Sequence, residues 1–185
     1  MNDFFTQLAE QFLETPTPYL YNVLFFLHGQ GLNNRSGSQK WHRDLEDLKM
    51  LKIFMYCTDV TVETGALEYV PYSYAGGDFP LNVGAKTMTD YQSTRVLNDE
   101  QEALCNERKV TFVGQPGDIM LCNNSGFHRG GFLSQGFRCM THALYLRPDA
   151  IYAPPSVNYD NQVNFVDVNS EEYKSLGDKQ KYLRI

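Results

Sequence analysis

The sequence predicts a mainly β protein built as a jelly roll, with a helix at one or both ends. Aromatic residues make up 14% of the chain, and aromatic side chains favour strands. From Lys49 onward, short segments of alternating polarity are separated by turns rich in Gly and Pro. Strands do not alternate with long helical segments, which argues against a parallel α/β sheet. Many short strands between tight turns are typical of sandwiches and jelly rolls.

The N-terminal segment predicts an amphipathic helix over residues 2–14, followed by a buried strand over residues 19–28. Apolar residues recur on one face of the helix at helical spacing: Phe5, Leu8, Phe12 and Leu13. Pro16 and Pro18 separate the two elements, because proline cannot continue a helix. The polar stretch GQGLNNRSGS after the strand predicts a loop.

Further strands are predicted between residues 49 and 148. In residues 49–58 alternate side chains point to opposite faces, with Lys52, Phe54 and Tyr56 on the same one. Lys52 is expected to be a solvated lysine at a sheet edge. The remaining strands lie within the segments ALEYVPYS, KVTFV, GQPGDIMLCNN and FRCMTHALYLRP.

Two regions have less regular patterns. Residues 75–108 predict a lid or insertion that contains a short helix near 98–106, with Asn98 as its cap. In the polar tail, residues 169–182 predict a helix. We expect one domain over 1–185, with a core of about 19–148 and a C-terminal extension over 149–185.

Composition argues against several classes of partner. The formal net charge of −6 does not favour a nucleic-acid backbone, which usually selects a basic face. The longest apolar run, YLYNVLFFL, is too short to span a bilayer, and the N-terminus lacks the features of a secretion signal. The four cysteines form no CxxC pair, which predicts reduced thiols in a cytoplasmic protein. We therefore expect a small-molecule substrate, no nucleic acid and no membrane; the pattern does not predict an oligomeric state.

The stretch SQKWHRDLED places His42 and Asp44 two residues apart. On an extended segment, residues i and i+2 project from the same face, so both side chains would converge while Arg43 faces away. An imidazole nitrogen and a carboxylate oxygen presented together can bind a divalent metal ion. With a second histidine they would form the 2-His-1-carboxylate triad, which leaves positions open on Fe(II). A surface pair or a hydrogen-bonded strand pair is the alternative interpretation of an isolated His-x-Asp.

His128 is the natural third ligand, because it lies among glycines that allow other groups to approach closely. His28 and His142 are interpreted as packed strand residues. Arg138 begins the last predicted strand, where its planar guanidinium can bind a carboxylate through two parallel hydrogen bonds. A metal triad with a carboxylate-binding arginine is what a 2-oxo acid cosubstrate requires.

Three nearby residues have two interpretations each. Gln39 is predicted to bind the cosubstrate, with a polar residue at a strand end as the alternative. Trp41 suits the site or the core equally. Arg129 follows a predicted ligand directly and is expected to form a surface salt bridge, with an anionic substrate as the alternative.

These motifs together resemble the phytanoyl-CoA dioxygenase group of Fe(II)/2-oxoglutarate oxygenases. The similarity covers residues 38–148 through WHRD, YCTDVTVETGALEYVPYS, GQPGDIMLCNNSGFHRGG and FRCMTHALYLRP. It implies a double-stranded β-helix that uses Fe(II), 2-oxoglutarate and O2. It also implies that His42, Asp44 and His128 are the iron ligands and that Arg138 binds the distal carboxylate of 2-oxoglutarate.

The sequence departs from the family pattern at two places. Residues 71–74 read Pro-Tyr-Ser-Tyr where members commonly have PGSH, and Gly130 stands where a hydroxyl residue often holds the cosubstrate. An acyl-CoA substrate is therefore not implied. Because Asp44 is present, hydroxylation is favoured over the halogenation of relatives that lack this carboxylate.

The sequence thus predicts a dioxygenase that hydroxylates an unactivated C–H bond of a small molecule and releases succinate and CO2. Two other classes stay open: a jelly roll that binds a metal or ligand without turnover, and a cupin-type metalloenzyme that does not use 2-oxoglutarate.

Overall fold

A computed structural model describes residues 3–16, 18–29, 35, 37–82 and 97–150, all within one compact unit, Met1–Ala153. The helix predicted over 169–182 lies outside the described residues. In chain order the helices and strands are α1 (Asp3–Leu13), β1 (Tyr19–Gly29), β2 (Leu51–Tyr56), β3 (Leu67–Tyr69), α2 (Asp99–Arg108), β4 (Val110–Phe112), β5 (Ile119–Cys122), β6 (His128–Arg129) and β7 (Phe137–Leu146).

The strands form two antiparallel sheets, which confirms the prediction of a mainly β protein. One sheet has four strands in the order β1-β7-β2-β5, and the other has three in the order β4-β3-β6. In the larger sheet Phe54 lies opposite His142, and Tyr56 lies opposite Met140. β6 was not predicted, because two residues are too few to show a strand periodicity.

α1 covers the outer face of the four-stranded sheet. Ala9 and Leu13 of the helix are buried against Leu51, Ile53 and Tyr145, as the apolar helix face predicts. Among the described residues, no helix has both the length and the apolar character needed to cross a membrane.

The inner face of the same sheet packs against the three-stranded sheet. Phe54 and Tyr56 of β2 contact the cluster that contains Met140 of β7 and Leu67 of β3. The alternation predicted for β2 is therefore confirmed, since Leu51 and Ile53 face α1 while the intervening residues face inward. All four cysteines are free thiols, as predicted. The same alternation along β7 places Arg138 and His142 on the same face of the sheet as Met140.

α2 begins at the predicted cap. The Gln101 backbone N–H donates to Oδ1 of Asn98 at 2.9 Å, and the Gln101 side chain accepts from the Asn98 backbone at 3.0 Å. These two bonds satisfy donors that the first turn of a helix otherwise leaves free.

We expect Asn98→Ala to lower the free energy of unfolding by about 1 kcal/mol, because it removes the acceptor for the first turn. Urea denaturation provides the measurement, with Asn98→Ser as the control that keeps a capping oxygen. An Asn98→Ala protein as stable as wild type would show that the cap contributes nothing.

Candidate metal centre

Backbone pairing brings His42 and His128 together. The two residues form an antiparallel bridge in which each backbone N–H donates to the other's carbonyl, at 3.1 and 3.0 Å. The Asp44 backbone N–H donates to the Asn124 carbonyl at 2.9 Å, which extends the contact. Directly paired residues project from the same face, so the two imidazole rings lie 4.3 Å apart between centroids.

The donor atoms of His42, Asp44 and His128 lie within 4.8 Å of one another. His42 Nε2 lies 3.8 Å from Asp44 Oδ1, and His128 Nε2 lies 3.6 Å from Asp44 Oδ2. The structure thus brings together the three residues that the sequence singles out. Two imidazole nitrogens and one carboxylate oxygen are a donor set suited to Fe(II).

Both imidazoles turn a lone pair toward this cluster. Nδ1 of His42 lies 2.8 Å from the Lys40 carbonyl, and Nδ1 of His128 lies 2.9 Å from the Gly126 carbonyl. A carbonyl only accepts, so each Nδ1 carries a proton, and in the neutral form of each ring Nε2 has the lone pair. Burial, with the neighbouring His42, lowers the pKa of His128 to about 3, so this imidazole is neutral at pH 7.

The Asp44 carboxylate is ionised within the cluster. Burial by itself raises the pKa of Asp44, but the charge of Lys52 and the hydrogen bond that Lys52 donates outweigh it and hold the pKa below its usual range. An anionic oxygen is therefore available beside the neutral imidazole of His128.

Lys52 corrects the sequence-based expectation of a solvated edge lysine. Its strand lies inside the sheet, the residue is only 8% exposed, and its Nζ donates to Asp44 Oδ2 at 2.5 Å. The signal was present in the sequence, because Lys52 shares its face with the aromatic side chains of Phe54 and Tyr56. A lysine on a strand face that packs into the core is buried and needs a charged partner, which here is Asp44.

Asn124 is a second contact of the cluster that sequence reasoning missed. The residue is fully buried, and its Nδ2 donates to Asp44 Oδ2 at 3.1 Å and lies 2.9 Å from His128 Nε2. Asn124 lies four residues before His128. The chain turns between the two residues, so their spacing follows neither a helical nor a strand periodicity that would mark them as neighbours.

The two segments that carry the predicted ligands pack against buried side chains. Arg43 faces away from the cluster, as predicted, and its guanidinium stacks 4.0 Å from the Phe127 ring. Its Nη2 donates to Asn82 Oδ1 at 2.7 Å. Ser73, within the stretch that departs from the PGSH pattern, is buried and accepts from the Phe127 backbone N–H at 2.7 Å. Both segments that carry ligands therefore rest on packed side chains.

Arg138 has unused hydrogen-bonding capacity. The residue is 4% exposed, and its Nε and Nη1 are buried without a hydrogen-bond partner among the described residues. Burial lowers its pKa. Gly65 and Gly130 leave room beside it, since a Cβ on either would lie 3.4 Å from a guanidinium nitrogen. A carboxylate bound here would satisfy the unused donors, which is the fit that 2-oxoglutarate requires.

Gln39 lies in a short 3-10 helix, Gly37–Gln39, beside the segment that follows His128. The neighbouring Ser38 carbonyl accepts from the Gly130 backbone N–H at 2.9 Å, and Gly130 lies against Arg138. The contact between Gln39 and a cosubstrate stays a prediction. His142 is buried with its ring in edge contact with Phe54 at 5.6 Å, as expected for a packed strand residue.

Arg129 corrects the expectation of a surface salt bridge. The residue is buried, and its Nε donates to Oε2 of Glu68, while Lys109 donates to Oε1 of the same carboxylate. Its guanidinium lies 4.2 Å from the ring of Trp41, which is buried in the core rather than at a rim. β6 and β3 pair Arg129 with Glu68 directly, so the ion pair is a cross-strand contact.

The sequence also matches a known protein family. The sequence model of the phytanoyl-CoA dioxygenase (PhyH) family matches residues 3–140. A comparison with curated proteins found no match.

Solved structures share the fold at low sequence identity. SnoN, a non-heme alpha-ketoglutarate-dependent epimerase from nogalamycin biosynthesis, is 21% identical with a TM-score of 0.56 over 85% of this chain and 58% of its own. The carbocyclase SnoK from the same biosynthesis is 18% identical, with a TM-score of 0.52 over 81% and 58%. EctD from S. alaskensis, solved with bound Fe, is 18% identical, with a TM-score of 0.53 over 75% and 47%. The chain thus spans less than two thirds of each of these structures.

The cofactors of the matched family are Fe(II) and 2-oxoglutarate, with O2 as the second cosubstrate. SnoN has also been solved in complex with Fe3+ and alpha ketoglutarate. The cofactor prediction is therefore confirmed at the level of the family. Because the family model matches most of the chain, the chain belongs to the phytanoyl-CoA dioxygenase family.

Proposed function

We propose that this protein is an Fe(II)- and 2-oxoglutarate-dependent dioxygenase that hydroxylates an unactivated C–H bond of a small molecule. The observation that carries the proposal is the convergence of two imidazole lone pairs and one carboxylate oxygen within 4.8 Å. His42, Asp44 and His128 would hold the iron. The two antiparallel sheets around them would form a double-stranded β-helix, in line with the neighbours' TM-scores of 0.52 to 0.56.

When bound, iron and 2-oxoglutarate supply the oxidising chemistry, in which O2 is cleaved and the 2-oxo acid yields succinate and CO2. The chain supplies binding and orientation. Arg138 would bind the distal carboxylate through its guanidinium, in which Nε and Nη1 have no hydrogen-bond partner among the described residues. Phe54, buried on the inner face of β2, would form an apolar wall that keeps water from the reacting atoms.

The Nδ1 hydrogen bonds of the two histidines are part of the same function. Each one fixes the tautomer and the plane of its ring, so Nε2 stays aimed at the ion. Arg43 lies between His42 and Asp44 in the sequence, and it points out of the site because its side chain packs on Phe127. The cytoplasmic location and the absence of nucleic-acid and membrane partners stay predictions.

The proposal is tested by product analysis. We expect the iron-loaded protein to release succinate from 2-oxoglutarate when it is screened against small metabolites, and to transfer one atom of 18O2 into the substrate it accepts. The label matters because SnoN is an epimerase and SnoK a carbocyclase within the same fold.

Two outcomes would contradict the proposal. Binding of 2-oxoglutarate without succinate release across the whole panel would favour a binding protein. Oxidation of a substrate at the same rate with and without 2-oxoglutarate would favour a cupin-type metalloenzyme.

A further inference from the structure

A buried lysine shares the anionic ligand of the candidate metal centre. Lys52 Nζ donates to Asp44 Oδ2 at 2.5 Å, and the two side chains are 10% and 14% exposed. The ammonium also lies 5.8 Å from the centroid of the Phe54 ring on the inner face of β2. This cation is therefore fixed in the protein interior rather than free at the surface.

The described hydrogen bonds to the Asp44 side chain are unevenly distributed over its oxygens. Lys52 and Asn124 both donate to Oδ2, at 2.5 and 3.1 Å. Oδ1 accepts none of the described hydrogen bonds; it lies 3.8 Å from His42 Nε2, whereas His128 Nε2 lies 3.6 Å from Oδ2. Oδ2 thus already accepts two hydrogen bonds from the protein, whereas the lone pairs of Oδ1 are left for a metal ion.

We propose that Lys52 is a positioning residue that restricts Asp44 to binding the ion through Oδ1, and that its charge weakens Fe(II) binding and raises the Fe(III)/Fe(II) potential. This inference rests on the proposed metal centre. It goes beyond the triad and Arg138, because it assigns Lys52 a role that acts through the Asp44 carboxylate.

The sign of the effect follows from charge. Neighbours that increase the donor strength of a ligand typically cost 10–100-fold in affinity when they are removed. A cation on the second oxygen does the opposite, since it withdraws electron density and repels the ion across a poorly screened interior. Removing the charge of Lys52 therefore strengthens metal binding, whereas the loss of a merely structural contact would weaken it.

Anaerobic titration of the metal-free protein with Fe(II), followed by calorimetry, measures the first consequence. We expect Lys52→Met to bind Fe(II) at least about tenfold more tightly than wild type. Lys52→Arg keeps the charge and is expected to match wild type. Lys49→Met is the control, because Lys49 is half-exposed and pairs at 3.0 Å with Glu14, which directly follows α1, outside the cluster.

A potentiometric titration of the iron-loaded proteins measures the second consequence. Fe(II) carries two positive charges and Fe(III) carries three. If removal of the Lys52 charge strengthens the binding of two charges about tenfold, it favours Fe(III) over Fe(II) by at least about threefold. This corresponds to a fall of about 30 mV in Lys52→Met. Equal or weaker Fe(II) affinity with an unchanged potential would overturn the inference.

Two further variants separate the possible failures. If Lys52→Met does not fold, Lys52→Gln keeps a donor for Oδ2 without the charge, and wild-type affinity in that variant would overturn the inference. If wild type and Asp44→Asn bind Fe(II) equally well, the proposed metal centre itself is wrong. If Asp44→Asn loses Fe(II) while Lys52→Met and Lys52→Gln match wild type, only the role of Lys52 fails.

Discussion

Asp44→Asn is expected to abolish Fe(II)-dependent turnover, with succinate release falling by more than about 100-fold. Loss of a neighbour that increases the donor strength of a ligand already costs 10–100-fold, so loss of the anionic ligand itself costs more. The substitution keeps the shape of the side chain and an oxygen that accepts from Lys52. Fe(II) affinity, measured by anaerobic calorimetry, is expected to fall together with turnover.

The choice of asparagine over alanine follows from the burial of the pair. Alanine would leave the Lys52 ammonium in the interior without its carboxylate, a change that typically costs about 3–5 kcal/mol of stability. Asp47→Asn is the matched control, since Asp47 lies in the same segment and accepts only from the Leu48 backbone N–H at 2.8 Å in the described hydrogen bonds. Retained turnover in Asp44→Asn would contradict its assignment as an iron ligand.

Arg138→Met is expected to weaken 2-oxoglutarate binding by about 10²–10³-fold, because it removes a bidentate charge-assisted contact to the distal carboxylate. Each hydrogen bond to a charged group contributes about 1.5–3 kcal/mol. Calorimetric titration of the iron-loaded protein with 2-oxoglutarate provides the measurement. Fe(II) affinity is expected to remain at the wild-type value, since Arg138 is not among the clustered metal donors of the described residues.

Arg147→Met is the control for the removal of a guanidinium. Arg147 directly follows β7, and its exposed side chain pairs with Asp149 at 2.5 Å. Unchanged 2-oxoglutarate affinity in Arg138→Met would exclude the proposed anchor. It would favour a metalloenzyme of the same fold that does not use this cosubstrate.

The correct sequence-based predictions depend on local patterns. Alternation along β2 separates Leu51 and Ile53 from Phe54 and Tyr56, because successive side chains of any strand point to opposite faces of the sheet. The helix cap at Asn98 is equally local, since it involves residues only three apart. His42 and Asp44 share a face for the same geometric reason.

The incorrect predictions concern contacts between distant segments. Lys52 was expected at an edge because the order of strands in a sheet is not written along the chain, whereas β2 lies between β7 and β5. Arg129 was expected at the surface because its partner Glu68 lies sixty-one residues away, on a paired strand. The contacts of Asn124 depend on a turn that no periodicity marks.

The sequence by itself determined the residues able to bind a metal ion and a 2-oxo acid, because residue type and spacing set their chemistry. Only the tertiary structure decided which of them share one site and which charges surround it. Lys52 shows the physical reason: burial and the order of the strands convert an ordinary lysine into a fixed cation on the Asp44 carboxylate.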